Sequence, residues 1–405
     1  MPTAPYLETL DRLYGLARFG EKFELDGPRA LDRALGSPLG AVPCVLIGGT
    51  NGKGSTAAFV EALLQGRGLR VGLFTSPHLV SFRERIRIDG EEISEAKVVD
   101  LAARVLETAE LRGIPLHFFE VVWAMAALAF AEASVDFAIW EVGLGGRLDA
   151  TNACDPIASA VVTVGLDHQA FLGPDIWSIA REKAPIFRPG RPAFTAARGE
   201  SLEALTAALE PGVGLQAVGR ELNPFGGPLP LAGAHQADNA ALALALVRAM
   251  GVTPDPTALQ SVRWPGRAER AAPDLLLDCA HNQPAADALA ALLLAEEGER
   301  RVPIDLIIGM MADKDVGAVL QRLAPLCRGI TTVTPDHPRA LSALELAARC
   351  PHARVSIGTT VGRALADRRS DALTVVAGSC FLVGEARAHL HGLEYPEGGL
   401  RTLAR

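Results

Sequence analysis

Ile47-Gly48-Gly49-Thr50-Asn51-Gly52-Lys53-Gly54-Ser55-Thr56 sets a lysine inside a glycine-dense turn between an apolar run and a helical pattern. Apolar Val42 to Ile47 reads as a strand, and Ser55 onward reads as a helix. Such a turn is built to hold phosphate. Glycines let successive backbone N–H groups converge on an anion, the helix presents its positive end, and Lys53 adds a full charge near the outer phosphates. The usual loop places Ser or Thr directly after the lysine; here Gly54 intervenes and moves the hydroxyl by one position. A glycine-rich turn with an exposed lysine is the competing reading of these residues, and nucleotide phosphate binding is the favoured one.

Working outward, the chain has 405 residues, 49% of them hydrophobic and 21% charged, with a formal net charge of -8. That length predicts two domains. The mild acidity and the lack of a dense Lys/Arg stripe argue against a nucleic-acid partner. Met1 to Leu10 has neither a basic head nor a long apolar core, so no secretory signal is expected and a cytoplasmic location is. Val121 to Trp140 is the most membrane-like stretch, but Glu132, Ser134 and Asp136 interrupt it; it reads as a buried helix running into a strand, with no membrane partner. Six scattered cysteines show no Cys-x-x-Cys pair and read as small core residues.

Strand-length apolar runs alternate with helical stretches, as in parallel α/β layers. Helices are expected at Ser55 to Gly66, Ser94 to Leu111, Val121 to Ala133, Trp177 to Ala184 and Ala234 to Met250, and strands at Arg70 to Thr75, Val135 to Val142 and Ala158 to Val164. Around Trp264-Pro265-Gly266-Arg267 the pattern breaks, which marks a domain boundary. Strands resume at Leu275 to Leu277, Ile304 to Ile308, Ile330 to Val333 and Leu373 to Ala377, with helices at Ala285 to Ala295, Val316 to Leu326 and Ala343 to Cys350. This second part reads as a smaller Rossmann-like sheet, about half the size of the first.

Polar groups fall where strands end, which is where open α/β sheets bind their ligands. Glu141 closes a buried strand, and a carboxylate there needs a cation or a donor: either a salt bridge to Arg147 or a magnesium ion near the nucleotide. His168 follows the next strand and Ser76 the one after the phosphate helix; alone, each is also explained as an ordinary imidazole or turn residue. Lys183 reads alone as a solvated helical lysine. Arg83-Glu84-Arg85-Ile86-Arg87 alternates like an exposed edge strand and could attract a polyanionic substrate.

Gly49-Thr50-Asn51-Gly52-Lys53-Gly54-Ser55 resembles the phosphate loop of the Mur ligase superfamily, and the intervening glycine resembles its folylpolyglutamate synthase and dihydrofolate synthase branch. Further blocks agree in order: Ser76-Pro77-His78-Leu79, Glu84-Arg85-Ile86, the long run Glu141 to Asn152, Asp167-His168, Glu182-Lys183-Ala184, His235-Gln236, Pro265-Gly266-Arg267, Asp278 to Asn282 and Asp313-Lys314-Asp315. The resemblance implies an α/β fold in which residues 1–263 form an ATP-binding, Mur-ligase-like domain carrying the P-loop on a parallel-type sheet. Residues 264–272 are then a linker and 273–405 a smaller Rossmann-like C-terminal ligase domain.

The implied reaction is ATP-dependent amide synthesis in folate biosynthesis and one-carbon metabolism: a folate or dihydropteroate carboxylate becomes an acyl phosphate, which the amino group of L-glutamate attacks. The same resemblance assigns ATP to Thr50, Asn51, Gly52, Lys53, Gly54, Ser55 and Thr56, with Asn239, Arg267, Asp278 and His281 across the cleft. It assigns one Mg2+ to Ser76 and Glu141 and a second to His168. Lys183 matches a lysine that relatives carry as a carbamate. Pro185 replaces the family's usual glycine, and it is expected to push Ala184 out of helical geometry. The pteridine-bearing substrate is assigned to Phe118-Phe119-Glu120, preceded by His117 where the family often has threonine, and to Leu148-Asp149-Ala150; the two phenylalanines read equally as core. Lys53, Glu141, His168 and Lys183 are the expected catalytic set, in a monomer.

Two other readings are weighed. A Mur-type ligase of UDP-sugars would share loop, metals and reaction, but its usual N-terminal domain does not fit the short stretch before residue 47. A nonenzymatic nucleotide switch would show Asn-Lys-x-Asp, and the nearest approach, Ala312-Asp313-Lys314-Asp315, lacks the asparagine.

Overall fold

The computed structural model describes residues 2–16, 24–300 and 302–397; Met1 of the chain start, and parts of both expected domains, lie outside them. Two sheets organise the chain. The first holds β1 (Cys44–Gly48), β2 (Val71–Phe74), β3 (Ile86–Ile88), β4 (Glu91–Glu92), β5 (Phe137–Glu141), β6 (Ala158–Val161), β7 (Ala193–Thr195) and β8 (Leu215–Ala217). Their order is β4-β3-β2-β5-β1-β6-β7-β8; β2, β5, β1, β6, β7 and β8 run parallel, and β3 and β4 are antiparallel additions at one edge. The second sheet holds β9 (Glu269–Ala272), β10 (Leu275–Leu277), β11 (Ile304–Ile308), β12 (Gly329–Thr332), β13 (Val355–Ile357) and β14 (Leu373–Ala377). It is ordered β13-β12-β11-β14-β10-β9, parallel except for β9. With six strands against eight, it is nearer the first in size than the expected half.

Period-two alternation explains how each sheet buries both faces. In β1, Val45 and Ile47 join one apolar cluster with Phe59 and Leu63 of the helix Lys53–Gln65, while Cys44 and Leu46 join another with Trp123 and Trp140. In β10, Leu276 faces one cluster, and Leu275 and Leu277 the other. The helix His235–Ala249 lies against Lys53–Gln65; it is buried along Ala240 to Val247, as an all-apolar helix must be. No described helix is long and apolar enough to cross a membrane. Phe118–Ala133, in the most membrane-like stretch, is instead packed into the core.

Three expectations need correction. Arg83 to Arg87 is a strand only in its second half: Phe82–Arg85 is a 3-10 turn with Arg85 buried, Ile86 and Arg87 enter β3, and the edge beyond it is taken by Glu91–Glu92. The short Glu84 carboxylate accepts the Leu79, Val80 and Ser81 N–H groups, and that local bonding outcompetes strand pairing. The α-helix Ile176–Lys183 does end directly before Ala184, but Ala184 keeps helical angles, φ -54 and ψ -34, although Pro185 follows; the proline enters as the second residue of the 3-10 turn Ala184–Ile186, where its missing N–H is not needed. Glu141 is not paired with Arg147, whose guanidinium reaches Glu182 at 2.9 Å.

Candidate active site

β1 lies where the strand order reverses between β5 and β6, so the connection leaving it opens into a crevice. The loop there is pinned to the end of β6. Thr50 donates its N–H to the Thr163 carbonyl at 2.8 Å, and Asn51 donates to the Thr163 hydroxyl at 2.9 Å. Gly52 caps the helix Lys53–Gln65 at φ 84, a left-handed geometry that favours glycine. Gly54 answers a different demand: a Cβ there would sit 2.7 Å from the Trp264 indole nitrogen. The residue that displaces the hydroxyl is therefore the one on which Trp264, just before the pattern break, packs.

Lys53 folds back over the loop, its Nζ donating to the Gly49 carbonyl at 3.0 Å and the Thr50 carbonyl at 3.3 Å. Burial lowers its pKa, opposed by the nearby charges of Glu141 and Asp167. Ser55 and Thr56 are buried behind it at 2% and 0% exposure, and the Thr56 hydroxyl has no hydrogen-bond partner.

Register brings Glu141 beside Ile47. Its carboxylate is buried, accepts the Ser76 N–H at 3.2 Å, and is pushed up in pKa by desolvation against the pull of Lys53. The donor chemistry fits a hard cation, since a buried carboxylate beside a serine at two strand ends offers oxygen ligands. Among the described residues no three His, Cys, Asp or Glu gather to hold a metal alone, so an ion at Glu141 and Ser76 would need water or phosphate oxygens, as magnesium usually does. His168 is exposed, sits at φ 51, and turns its Nε2 to within 3.4 Å of the Lys314 ammonium. Desolvation and that ammonium lower its pKa to about 4, so it is a neutral imidazole at pH 7. Lys183 is not a solvated lysine: it is 3% exposed, and burial, then the charge of Lys53, pull its pKa down to about 7.

The second sheet closes the crevice. Asp167 accepts from Lys314 Nζ at 2.6 Å and from Asn282 Nδ2 at 2.9 Å, and lies 3.4 Å from His281 Nε2. Burial alone would raise its pKa, but the His281 hydrogen bond and the charges around it hold the carboxyl well below the usual carboxylate range. Asn51 and Asn282 exchange side-chain amide bonds at 3.0 and 3.1 Å, tying the phosphate loop to the segment after β10. Asp278 is fixed by the Ala268 and Ala280 N–H groups at 2.7 and 2.8 Å. Arg267, whose charge is reinforced by Cys279, Cys380, Asp278 and Glu141 against desolvation, lies between the sheets. Asn239 is buried behind the loop and donates to Gln236 at 2.9 Å; its Oδ1 is 2.8 Å from where a Cβ on Gly52 would be.

The residues expected around the pteridine are less concentrated. Phe118 is buried against Tyr14 and Phe82, with the Arg85 guanidinium 5.3 Å from its ring centroid. Phe119 is half-buried beside Phe74, and Glu120 accepts the His117 N–H at 3.1 Å, capping its helix. Asp149 is buried and accepts from Gly143, Leu144 and Thr151, which fixes the turn that also carries half-buried Leu148 and buried Ala150. Sequence reasoning left out Asp167, Asn282 and Lys314 as site residues. All three sit in blocks that resemble the ligase family, but only the fold shows them meeting.

A lysine-bearing glycine loop on one α/β sheet, faced by a second α/β sheet, is the arrangement of a Mur-type ligase, and the Mur ligase, glutamate ligase domain matches residues 266–380. The Escherichia coli dihydrofolate synthase/folylpolyglutamate synthase is 35% identical over 358 residues, covering 82% of this chain and 83% of that protein. A probable bifunctional folylpolyglutamate synthase/dihydropteroate synthase of Halobacterium salinarum is 37% identical and covers 94% of this chain but 51% of the relative; the chain spans about half the length of that protein and of its Haloferax volcanii counterpart. The Yersinia pestis bifunctional folylpolyglutamate synthase/dihydrofolate synthase, solved complexed with AMPPNP and Mn ion, superposes with a TM-score of 0.86 at 32% identity, covering 96% of this chain and 98% of that one. This chain belongs to the folylpolyglutamate synthase/dihydrofolate synthase family.

Proposed function

We propose that this chain is an ATP-dependent ligase that joins L-glutamate to the carboxylate of a folate or of dihydropteroate through an acyl phosphate. One observation carries the reading: Lys53, in its glycine-flanked loop, lies within electrostatic reach of Glu141 and Asp167 at strand ends of the first sheet and of Arg267 on the linker to the second. Phosphoryl transfer needs positioning and charge neutralisation more than covalent help. The loop N–H groups and Lys53 bind the ATP phosphates, and Arg267 adds charge from the linker when the sheets close. A substrate carboxylate oxygen attacks the γ-phosphorus, ADP leaves, the glutamate amine attacks the acyl carbon, and phosphate departs. Thr50 to Thr56 hold the triphosphate, while Asn239, Asp278 and His281 are assigned to the rest of the nucleotide.

Ser76 and Glu141 would hold one Mg2+ and His168 a second; when bound, such ions neutralise charge on the phosphates and the reacting acid. With its pKa lowered to about 7, the Lys183 amine is unprotonated in a large share of molecules near neutral pH, which suits reaction with carbon dioxide, and we assign it the carbamate. Phe118, Phe119, Glu120 and the turn Leu148, Asp149 and Ala150 are proposed to line the pteridine side, Phe119 being the less buried of the two rings. The division 1–263, 264–272 and 273–405 is proposed as the working unit, with β9 supplying the second half of the linker to the second sheet. A cytoplasmic monomer acting on small molecules completes the reading.

The test measures phosphate release with dihydropteroate and with tetrahydrofolate separately, each with and without glutamate. Release that requires glutamate and one of the two acids is expected. Release indifferent to glutamate would favour a nucleotide switch, and activity only on a UDP-sugar acid would favour the peptidoglycan-type alternative.

A further inference from the structure

After the helix Cys380–His391 the chain turns back onto the first sheet. Gly392 makes the turn in left-handed geometry at φ 65, and Pro396 is buried just before Glu397. The Glu397 carboxylate then accepts hydrogen bonds from two separate elements. Its Oε2 takes the Tyr6 hydroxyl at 3.0 Å and the Phe82 N–H at 2.9 Å, and its Oε1 takes the Ser81 hydroxyl at 3.2 Å. Tyr6 is fully buried on the helix Ala4–Tyr14, where a hydroxyl needs a partner. Ser81 and Phe82 belong to the connection between β2 and β3, with Ser81 lying 316 residues before Glu397 in the chain.

That connection is gripped from a second side. The helix Cys380–His391 presses Gly384 so close that a Cβ there would lie 2.1 Å from the Leu79 carbonyl oxygen and 3.1 Å from the Tyr395 ring. Within the loop, Glu84 gathers the Leu79, Val80 and Ser81 N–H groups, while the Phe82 N–H goes to Glu397. The loop's position matters because of what it carries. Ser76, at its start, donates its N–H to Glu141. Phe82 stands edge-on to Phe118 with centroids 6.3 Å apart, and Arg85 donates from Nε to His78 at 2.8 Å with its guanidinium over the same Phe118 ring. The phosphate loop is anchored elsewhere, on Thr163.

We propose that Glu397 is a positioning residue for the acid substrate: by bonding Tyr6, Ser81 and Phe82 it holds residues 76–85, and through Phe82 the Phe118 wall, in the arrangement that binds the acid. The inference rests on the proposed assignment of Phe118 to the pteridine side. Hydrogen-bond geometry is what the carboxylate supplies. A glutamine at 397 can turn its Oε1 to Tyr6 and Phe82 and donate from Nε2 to the Ser81 hydroxyl oxygen, so every contact survives. An aspartate keeps the charge but falls one methylene short.

The experiment compares the full chain with Glu397→Gln, Glu397→Asp and Glu397→Ala by steady-state phosphate release and by hydrogen–deuterium exchange. In Glu397→Ala the KM for the acid should rise about tenfold, as when one charge-assisted hydrogen bond is lost, with kcat changed less than about threefold. The KM for ATP should stay where it is. Glu397→Asp should show the same split, and Glu397→Gln should match the parent. Peptides covering residues 77–85 should exchange faster in Glu397→Ala and Glu397→Asp, while those covering residues 49–56 should not. If Glu397→Ala fails to fold, Glu397→Asp against Glu397→Gln carries the same comparison. Both KM values rising together, a fall in kcat alone, or a glutamine variant as damaged as the aspartate would mark a merely structural contact and overturn the positioning role. Unchanged exchange at residues 77–85 would overturn the hold on the loop. A parent with no turnover on any acid would instead sink the ligase reading, and the exchange data would then judge that hold by themselves.

Discussion

Asp167→Asn tests whether the two sheets act as one site. Asp167 is 8% exposed at its side chain and Lys314 10%, so the pair is nearly dry, and the asparagine keeps the shape while removing the charge. Losing one partner of a buried pair strands the other, a cost of about 3 kcal/mol. If that cost falls on the closed arrangement alone, the reactive population drops roughly hundredfold. Each sheet has its own apolar clusters, so the thermal midpoint should move little while kcat/KM for phosphate release falls by about that factor. Because replacing both charges is cheaper than stranding one, Asp167→Asn with Lys314→Met should recover much of the loss. The acid limb has a defined sign. Asp167 is held below the usual carboxylate range in the folded chain, so its contribution is complete above the unfolded carboxylate pKa of about 4 and is lost only as pH falls further. A single mutant within threefold of the parent kcat/KM, or a double mutant worse than either single, would refute the latch.

Lys53→Met should reduce phosphate release by about a thousandfold, the loss expected for a positioned charge on a transferring group, with an unchanged far-ultraviolet circular dichroism spectrum. Gly54→Ala should lower stability to urea by about 2 kcal/mol through overpacking against Trp264, and Trp264→Ala should relieve most of it; an unaffected Gly54→Ala protein would disprove the packing argument. Lys183 should gain the mass of one carbon dioxide in bicarbonate, increasingly as pH rises through about 7, and Lys183→Ala should lose both adduct and turnover. Its lowered pKa also means that its unfavourable burial eases as pH rises from about 7 toward the unfolded lysine value, so parent and Lys183→Met denaturation curves should converge with increasing pH.

The local grammar of this chain was readable without coordinates. Strand, glycine turn and helix around Lys53 depend on neighbours in sequence, and so do the alternations in β1, β5, β10 and β11 that place two parallel-type sheets. Lys183, Gly54 and Arg85 could not be read that way. Read locally, they are a solvated lysine, a displaced hydroxyl and an edge-strand charge, yet each is governed by what folds onto it: burial beside Lys53, the Trp264 indole, and the Phe118 ring. Asp167 lies 115 residues from Asn282 and 147 from Lys314 along the chain, and no periodicity links them. Sequence by itself determined the central strands, the helices beside them and the phosphate loop, because hydrogen bonding and hydrophobic period act over a few residues; short outer strands such as β7, β8, β9 and β13 carry too few residues to show a period. Only the tertiary structure decided which charges are dry and which are paired, because desolvation and Coulomb energy depend on distance through space.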